Sequence, residues 1–442
     1  MRWVLLLGMS VALGAGVFLR GGVAPAEWAW IAAGLLVMGM LSTFAEGRGD
    51  LVLEGLCWGL AGLAAVQLVP WPEAWVTWVS PASVEMWRGA GRTGWMPLGV
   101  APTATVEQGL RLVATLAGLL TARRLGWLWR DRMWVAALPV VAVAWLESVL
   151  GLVQFYLARM EGGVAGSSVG TYVNRNHFAG LLEMALPVAL AIGVWMYRKG
   201  VTRHSSSGRA AVWSSLWLGA TVCLLLGVVV SFSRMGFLSA LGGIGVAAVA
   251  AIGSREKEPM EEGAGWRRWW PAGGVLVGLA WMLVFLPTDE LIGRFAELAQ
   301  TEDVSQDTRA QIWRDTGKLV AAYPVFGAGL GSYEVALLKY KTAAPDNTVD
   351  FAHNDYLQVL AETGFAGLAL ALGLAGFVFW RVVRVVRWER GRKNWWLAVG
   401  LTGGLAAMAL HSLVDFNLYI PANALALAWL AGLATSDGLE AR

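Results

Sequence analysis

Apolar runs of about twenty residues, nearly free of charge, follow one another along almost the whole chain, and that is the length a helix needs to cross a bilayer. Inside hydrocarbon every backbone donor and acceptor must find a partner, which leaves only helices and closed barrels. Runs this long and unbroken specify helices. Twelve spans are read, at 3–19, 27–45, 51–69, 105–125, 134–155, 177–197, 213–230, 236–252, 271–286, 364–383, 395–412 and 418–434. Composition agrees: 57% of residues are hydrophobic and 15% charged, against about 45–50% and about 25% in soluble chains. The predicted fold class is an all-α polytopic membrane protein. The first run has a second reading as a signal peptide, with Ala24-Pro25-Ala26 resembling a cleavage site. Only Arg2 precedes that run, Arg20 interrupts it and another span follows at once, so a retained span is expected.

Most polar segments are short connectors, but one runs from residue 287 to about 362. The expected organisation is therefore spans one to nine in 1–286, a long loop carrying the chemistry in 287–362, and spans ten to twelve in 363–442. Loops of this length are more often functional than incidental. Lys and Arg set the orientation. Alternate short loops carry Arg123, Arg124, Arg130 and Arg132, then Arg198, Lys199, Arg203 and Arg209, then Arg255, Lys257, Arg267 and Arg268, and finally the group from Arg381 to Lys393. These loops are expected in the cytoplasm with both termini, which places the 287–362 loop outside. The net charge of +3 is small and gives no reason to expect nucleic acid. Cys57 and Cys223 both fall in apolar runs, so neither a disulfide framework nor a zinc site is expected.

The candidate chemistry lies in four stretches. The first is Gly170-Thr171-Tyr172-Val173-Asn174-Arg175-Asn176-His177, entering the sixth span. Asn174 and Asn176 read equally as helix caps or as partners of sugar hydroxyls, with Arg175 and His177 secondary candidates. The second is the tight turn Ser231-Phe232-Ser233-Arg234-Met235-Gly236. An Arg at the bilayer edge with no neighbouring carboxylate either snorkels or holds an anion, and its planar fork suits phosphate oxygens. The third stretch is the loop, with Arg309, Trp313 and Arg314, the Tyr323-Pro324-Val325-Phe326-Gly327-Ala328-Gly329 turn, and Ala352-His353-Asn354-Asp355-Tyr356. His353 stands at the start of a predicted helix that Asp350 or Asn354 can cap. A helix N-terminus favours the neutral imidazole that a general base requires. Asn354 and Asp355 are placed to orient His353 or a sugar. The fourth stretch is His411-Ser412-Leu413-Val414-Asp415-Phe416, where His411 and Asp415 share a helix face and read as an internal pair. Glu107 and Arg111 likewise neutralise each other, and Glu362 can cap the tenth span. Glu302, Asp303 and Asp307 read as a solvated loop, so no metal or cofactor is assigned.

The order of these stretches, all on the extracytoplasmic face in the charge-derived topology, resembles the O-antigen ligase and polymerase superfamily of bacterial membrane glycosyltransferases. The resemblance covers 166 to the C-terminus; the N-terminal third matches only as membrane helices. It implies a GT-C-like architecture in the bacterial inner membrane. It also implies a glycan donor on undecaprenyl diphosphate and metal-independent, inverting transfer to an acceptor hydroxyl on lipid A–core, on a second lipid-linked glycan or on a protein. Through its motifs it selects Arg234 and Arg309 for the donor diphosphate and His353 as the catalytic or acceptor-orienting group. Arg314, Asn174, Asn176, Asn354 and Asp355 remain as substrate-binding candidates. The competing class is a polysaccharide or lipid transporter without chemistry, which more often shows internal repeats and helices broken at mid-membrane; no repeat is visible here.

Overall fold

The computed structural model describes residues 1–160, 167–202, 207–253, 306–344 and 346–441. Eleven of the twelve expected spans are helices: α1 (Arg2–Phe18), α2 (Pro25–Thr43), α3 (Leu51–Leu68), α6 (Pro102–Leu128), α7 (Trp134–Met160), α8 (Arg175–Thr202), α9 (Ser207–Val230), α10 (Arg234–Gly253), α13 (Asp355–Trp388), α14 (Trp395–His411) and α15 (Pro421–Thr435). The ninth expected span, the acidic cluster at Glu302 and Asp303 and the basic loop at 255–268 lie outside the described residues. Seven of these helices are long and apolar enough to cross a membrane by themselves, and α1, α14 and α15 are shorter apolar helices. The protein is a multi-pass, all-α membrane protein. Small polar-side helices complete it: α4 (Glu73–Val79), α5 (Pro81–Gly89), α11 (Gln306–Ala322) and α12 (Tyr333–Leu337), with a two-residue antiparallel ladder pairing β1 (Trp71–Pro72) and β2 (Trp95–Met96).

Helix association gains little from the hydrophobic effect in lipid, so packing and buried polar contacts carry it. α8 is the central element, buried along most of its length, and it packs against α9, α14 and α10. α15 packs against α6, and Trp429 at its centre is fully buried with its indole N–H donating to the Ala136 carbonyl at 2.9 Å. Glu183 of α8 and His411 of α14 are fully buried, with His411 Nδ1 3.0 Å from the Glu183 carboxylate. An ionisable residue within the bundle needs such a partner.

The two ends of the bundle differ in charge. At one end Arg123 and Arg381 meet Asp437 and the Thr435 carbonyl, Arg384 meets Glu440, and Lys393 meets Asp131. Asn394 ties this end together through the Arg130 and Gly438 carbonyls. The basic connectors at 123–132 and 381–393 thus come together on one side. The motif residues gather at the opposite end.

α13 starts nine residues before the predicted tenth span and runs through a break at Gly364, where φ is +64°. The turn 324–329 repairs the break. The amides of Phe365 and Ala366 donate to the carbonyls of Pro324 and Val325, and those of Ala328 and Gly329 donate to the carbonyls of Ala361 and Glu362, all at 2.8–3.1 Å. Gln67 of α3, fully buried, clasps both strands: its side-chain amide donates to the Phe326 and Glu362 carbonyls and its oxygen accepts from the Leu330 amide. A Cβ at Gly327 would stand 2.2 Å from the Glu362 carbonyl carbon, so only glycine fits where the two segments touch. The Gly-rich turn is therefore a clamp on a broken helix, and it fixes where the N-terminal part of α13 points.

Candidate active site

Arg175, Asn176, Phe232, Arg234, Met235, Arg309, Val414 and Asp415 line one small cleft at this end. Four separate stretches of sequence contribute. α8 begins at Arg175 and α10 at Arg234, so two helix N-termini face the cleft together with the guanidinium groups. Their first turns carry partial positive charge, which favours an anion. Each start is fixed locally. Asn174 Oδ1 accepts from the Asn176 amide at 2.8 Å, and Ser233 Oγ accepts from the Gly236 amide at 3.1 Å. Phe232, at φ +53°, makes the tight turn that brings Arg234 to the cleft. Among the described residues the cleft lining carries three arginines and one carboxylate, a balance that favours an anion.

Arg309 and Trp313 sit one turn apart on α11. The Trp313 indole donates to the Ala352 carbonyl at 2.9 Å, while the Ala352 amide donates to Gln358 Oε1 at 2.6 Å. These bonds tie α11 to the segment that presents His353. Arg309 Nε is buried without a hydrogen-bond partner among the described residues. A buried donor left open costs about 1–3 kcal/mol, and a ligand oxygen would recover it.

His353 is half-buried at φ +49°, a left-handed conformation that costs about 1–2 kcal/mol and is retained where neighbours enforce it. Asn354 is the helix cap: its oxygen accepts from the Leu357 amide at 3.0 Å, and its amide nitrogen donates to the Leu413 carbonyl at 2.8 Å. The His353 ring stands edge-on to Phe416, with centroids 5.1 Å apart, and His177 does the same at 4.7 Å. Phe351 stacks on Phe416 at 4.1 Å. Burial lowers the His353 pKa below the ordinary value, Arg309 and His177 lower it further, and Asp415 and Asp350 oppose them. The neutral imidazole expected from the sequence is favoured, chiefly by burial.

Asp415 is the residue that sequence reasoning undervalued. It is 2% exposed, lines the cleft, and stands 3.6 Å from His177 Nε2 and 3.9 Å from His411 Nε2. Burial alone would raise its carboxyl, but His177, His411 and His353 around it hold it well below the usual carboxylate range. The expected His411–Asp415 pair is thus one link of a longer chain that runs from Glu183 through His411 to Asp415 and on to His177. The four-residue spacing of His411 and Asp415 was the available signal. Nothing in sequence linked His177 or Glu183 to them.

Of the residues picked from sequence, Arg234, Arg309 and Asn176 share the cleft, and His353 lies beside it through Arg309, Asp415 and Phe416. Asn174 and Asn354 are engaged as caps. Asp355 is 1% exposed and accepts from the Leu418 amide, and it does not line the cleft. Arg314 is exposed on another face of α11, with its Nε donating to the Ala310 carbonyl at 3.3 Å. Glu362 is buried, accepting from Tyr419 and Gln358.

Residues 219–372 match the family model for O-antigen ligase. Over that segment the chain is similar to the O-antigen ligase family. The match runs from within α9 into α13 and contains Arg234, Arg309 and His353, which the geometry brings to one place. The O-antigen ligase and polymerase superfamily is a glycosyltransferase-like group that works on lipid-linked glycans in general. His177 and Asp415 lie outside the matched segment and enter the site through tertiary structure alone. No curated protein matches the chain.

Proposed function

We propose that the protein transfers a glycan from an undecaprenyl-diphosphate-linked donor to an acceptor hydroxyl at the extracytoplasmic face of the inner membrane. The observation that carries this reading is the convergence of Arg175, Arg234 and Arg309 on one cleft, at two helix N-termini, beside a half-buried His353. The acceptor oxygen attacks the anomeric carbon, the bond from that carbon to the diphosphate oxygen breaks, and the diphosphate leaves as an anion. Attack opposite the leaving group inverts the anomeric centre. No acid is needed for such a leaving group. Charge accumulates on it in the transition state, and the guanidinium groups and helix termini stabilise that charge, which is the task a divalent cation performs elsewhere. The acceptor proton passes to His353, whose neutral form burial favours. Asp415 is a positioning residue: it stands 3.6 Å from His177 Nε2, and its charge stabilises the His353 imidazolium once the proton has moved.

Lipid A–core is the first acceptor to test, with a second lipid-linked repeat and a protein Ser or Thr as the alternatives. The test is incubation of the purified protein with a diphosphate-linked oligosaccharide and each acceptor class in turn. Transfer to one class identifies the acceptor. Failure with every class, while the donor still binds, would remove the transferase reading and favour passage of the lipid without chemistry.

A further inference from the structure

Glu183 and His411 do not line the cleft, yet both are fully buried within the bundle. Glu183 lies eight residues into α8, about 12 Å along its axis from Arg175 at the helical rise. Both of its carboxylate oxygens stand 3.0 Å from Nδ1 of His411, the last residue of α14. A buried ion pair adds little net stability, because apolar side chains of the same volume pack as well. The fold alone therefore does not call for these two residues, and an ionisable group at membrane depth points to function. The other nitrogen of His411 supplies the connection. Its Nε2 stands 3.9 Å from Asp415 Oδ2, while His177 Nε2 stands 3.6 Å from Asp415 Oδ1. Each oxygen of the Asp415 carboxylate thus has one imidazole opposite it, and Oδ1 also accepts from the Phe416 amide at 2.8 Å. The charged groups acting on Asp415 from the bundle are His177 and Glu183 of α8, His411 of α14 and Asp355 of α13. On the cleft side they are His353 and the three arginines.

We propose that Glu183 and His411 are positioning residues for the transfer, acting through Asp415 on His353. The inference rests on the reading of His353 as the base. An imidazole with a carboxylate at each nitrogen can donate to both only as the imidazolium. With Glu183 ionised at Nδ1, His411 therefore presents a positive charge to Asp415. Burial opposes the ionised form of Asp415, and the surrounding imidazoles offset that cost. Without the Glu183 charge, His411 gives up its second proton and one of those supports is gone. Asp415 then turns toward the neutral acid, and its pull on the His353 proton weakens. The buried pair thus keeps a charge at the cleft from a place that no substrate reaches.

The test is a double-mutant cycle on the full chain in nanodiscs, read by the pH dependence of transfer. It uses an undecaprenyl-diphosphate-linked oligosaccharide and the acceptor class identified as above. Glu183→Gln keeps the shape of the side chain and a hydrogen bond to His411 while removing the charge. It should lower kcat by about tenfold, a part of what a positioned base contributes, with KM for the donor unchanged. Its acid limb should move to lower pH by about half a unit or more, in the same direction as that of Asp415→Asn. In an Asp415→Asn background the same substitution should change neither kcat nor the limb. Where Glu183→Gln unfolds too early to assay, joining it to His411→Gln leaves no unpaired charge behind and should give the same limb. An acid limb that stays in place or moves up in Glu183→Gln would overturn the inference. Losses that add to those of Asp415→Asn would overturn it too, because the pair would then serve packing alone. Near-normal transfer in His353→Ala would remove the base reading, and the inference with it. Collapse in His353→Ala beside a silent Glu183→Gln would overturn the inference alone.

Discussion

Asp415 and His353 carry the most charge-sensitive part of the account. His353 titrates below its ordinary value because it is buried and faces Arg309 and His177. Since a base works in its neutral form, kcat/KM should stay level as pH falls from 7.5 through about 6.5, the ordinary His value, and decline only below it. Asp415 pulls the other way, raising the His353 pKa. Asp415→Asn removes that pull, so the acid limb should shift to lower pH while the maximal rate drops through lost positioning of the imidazole. A pH–rate profile of the variant reads both effects. An acid limb that stays in place would mean Asp415 acts only through packing. His177 and His411 each leave Nε2 buried without a hydrogen-bond partner among the described residues, both turned toward this carboxylate.

At the scale of elements, the broken helix α13 and its clamp decide where His353 sits. Gly327→Ala would drive a Cβ into the Glu362 backbone at a φ of +72° that only glycine holds without strain. About 1–3 kcal/mol should be lost, read as earlier thermal unfolding in detergent, with activity falling further than stability because α13 re-aims the histidine. Unchanged stability would show that the turn yields freely. This element also marks the limit of what the sequence discloses. The apolar runs reveal eleven helices, because period and length are local properties. The predicted tenth span begins at Gly364, whereas the helix begins at Asp355. The polar stretch before Gly364 gives no apolar run, since Gln358 and Glu362 are buried by partners from Ala352 and Tyr419. The Pro324–Gly329 turn is visible as a motif, but its partner at Gly364 is fixed by Gln67, nearly 300 residues away in sequence. Likewise Glu183 lies in an apolar run with nothing to reveal that His411 faces it. Arg234 stood out in sequence as a charge in a turn between apolar runs, whereas Arg309 and His353 were selected through the family motifs. Asp415 was undervalued, because a nearer partner in His411 accounted for it.

Among the described residues charge is separated: structural ion pairs engage the connectors at 123–132 and 381–393 at one end, and the arginine cleft stands at the other. By the bias of Lys and Arg, a tag after the C-terminus should report the cytoplasm and a tag within 343–347 the outside; reporter fusions placing both on one side would contradict the topology. Because guanidinium groups and helix termini supply the positive charge, transfer should survive exhaustive chelation. Loss with EDTA that magnesium or manganese restores would return attention to Glu302, Asp303 and Asp307. The central claim is a division of labour, with the arginines holding the diphosphate and His353 moving the proton. Parallel measurement of donor binding and single-turnover transfer in nanodiscs tests it most directly. Arg234→Lys and Arg309→Lys keep the charge but lose the bidentate fork, so each should weaken donor binding by about 1–3 kcal/mol. His353→Ala should bind donor nearly as the native protein does and transfer it about a hundred- to ten-thousand-fold more slowly. Near-normal turnover in His353→Ala, or native donor affinity in both arginine variants, would contradict the account.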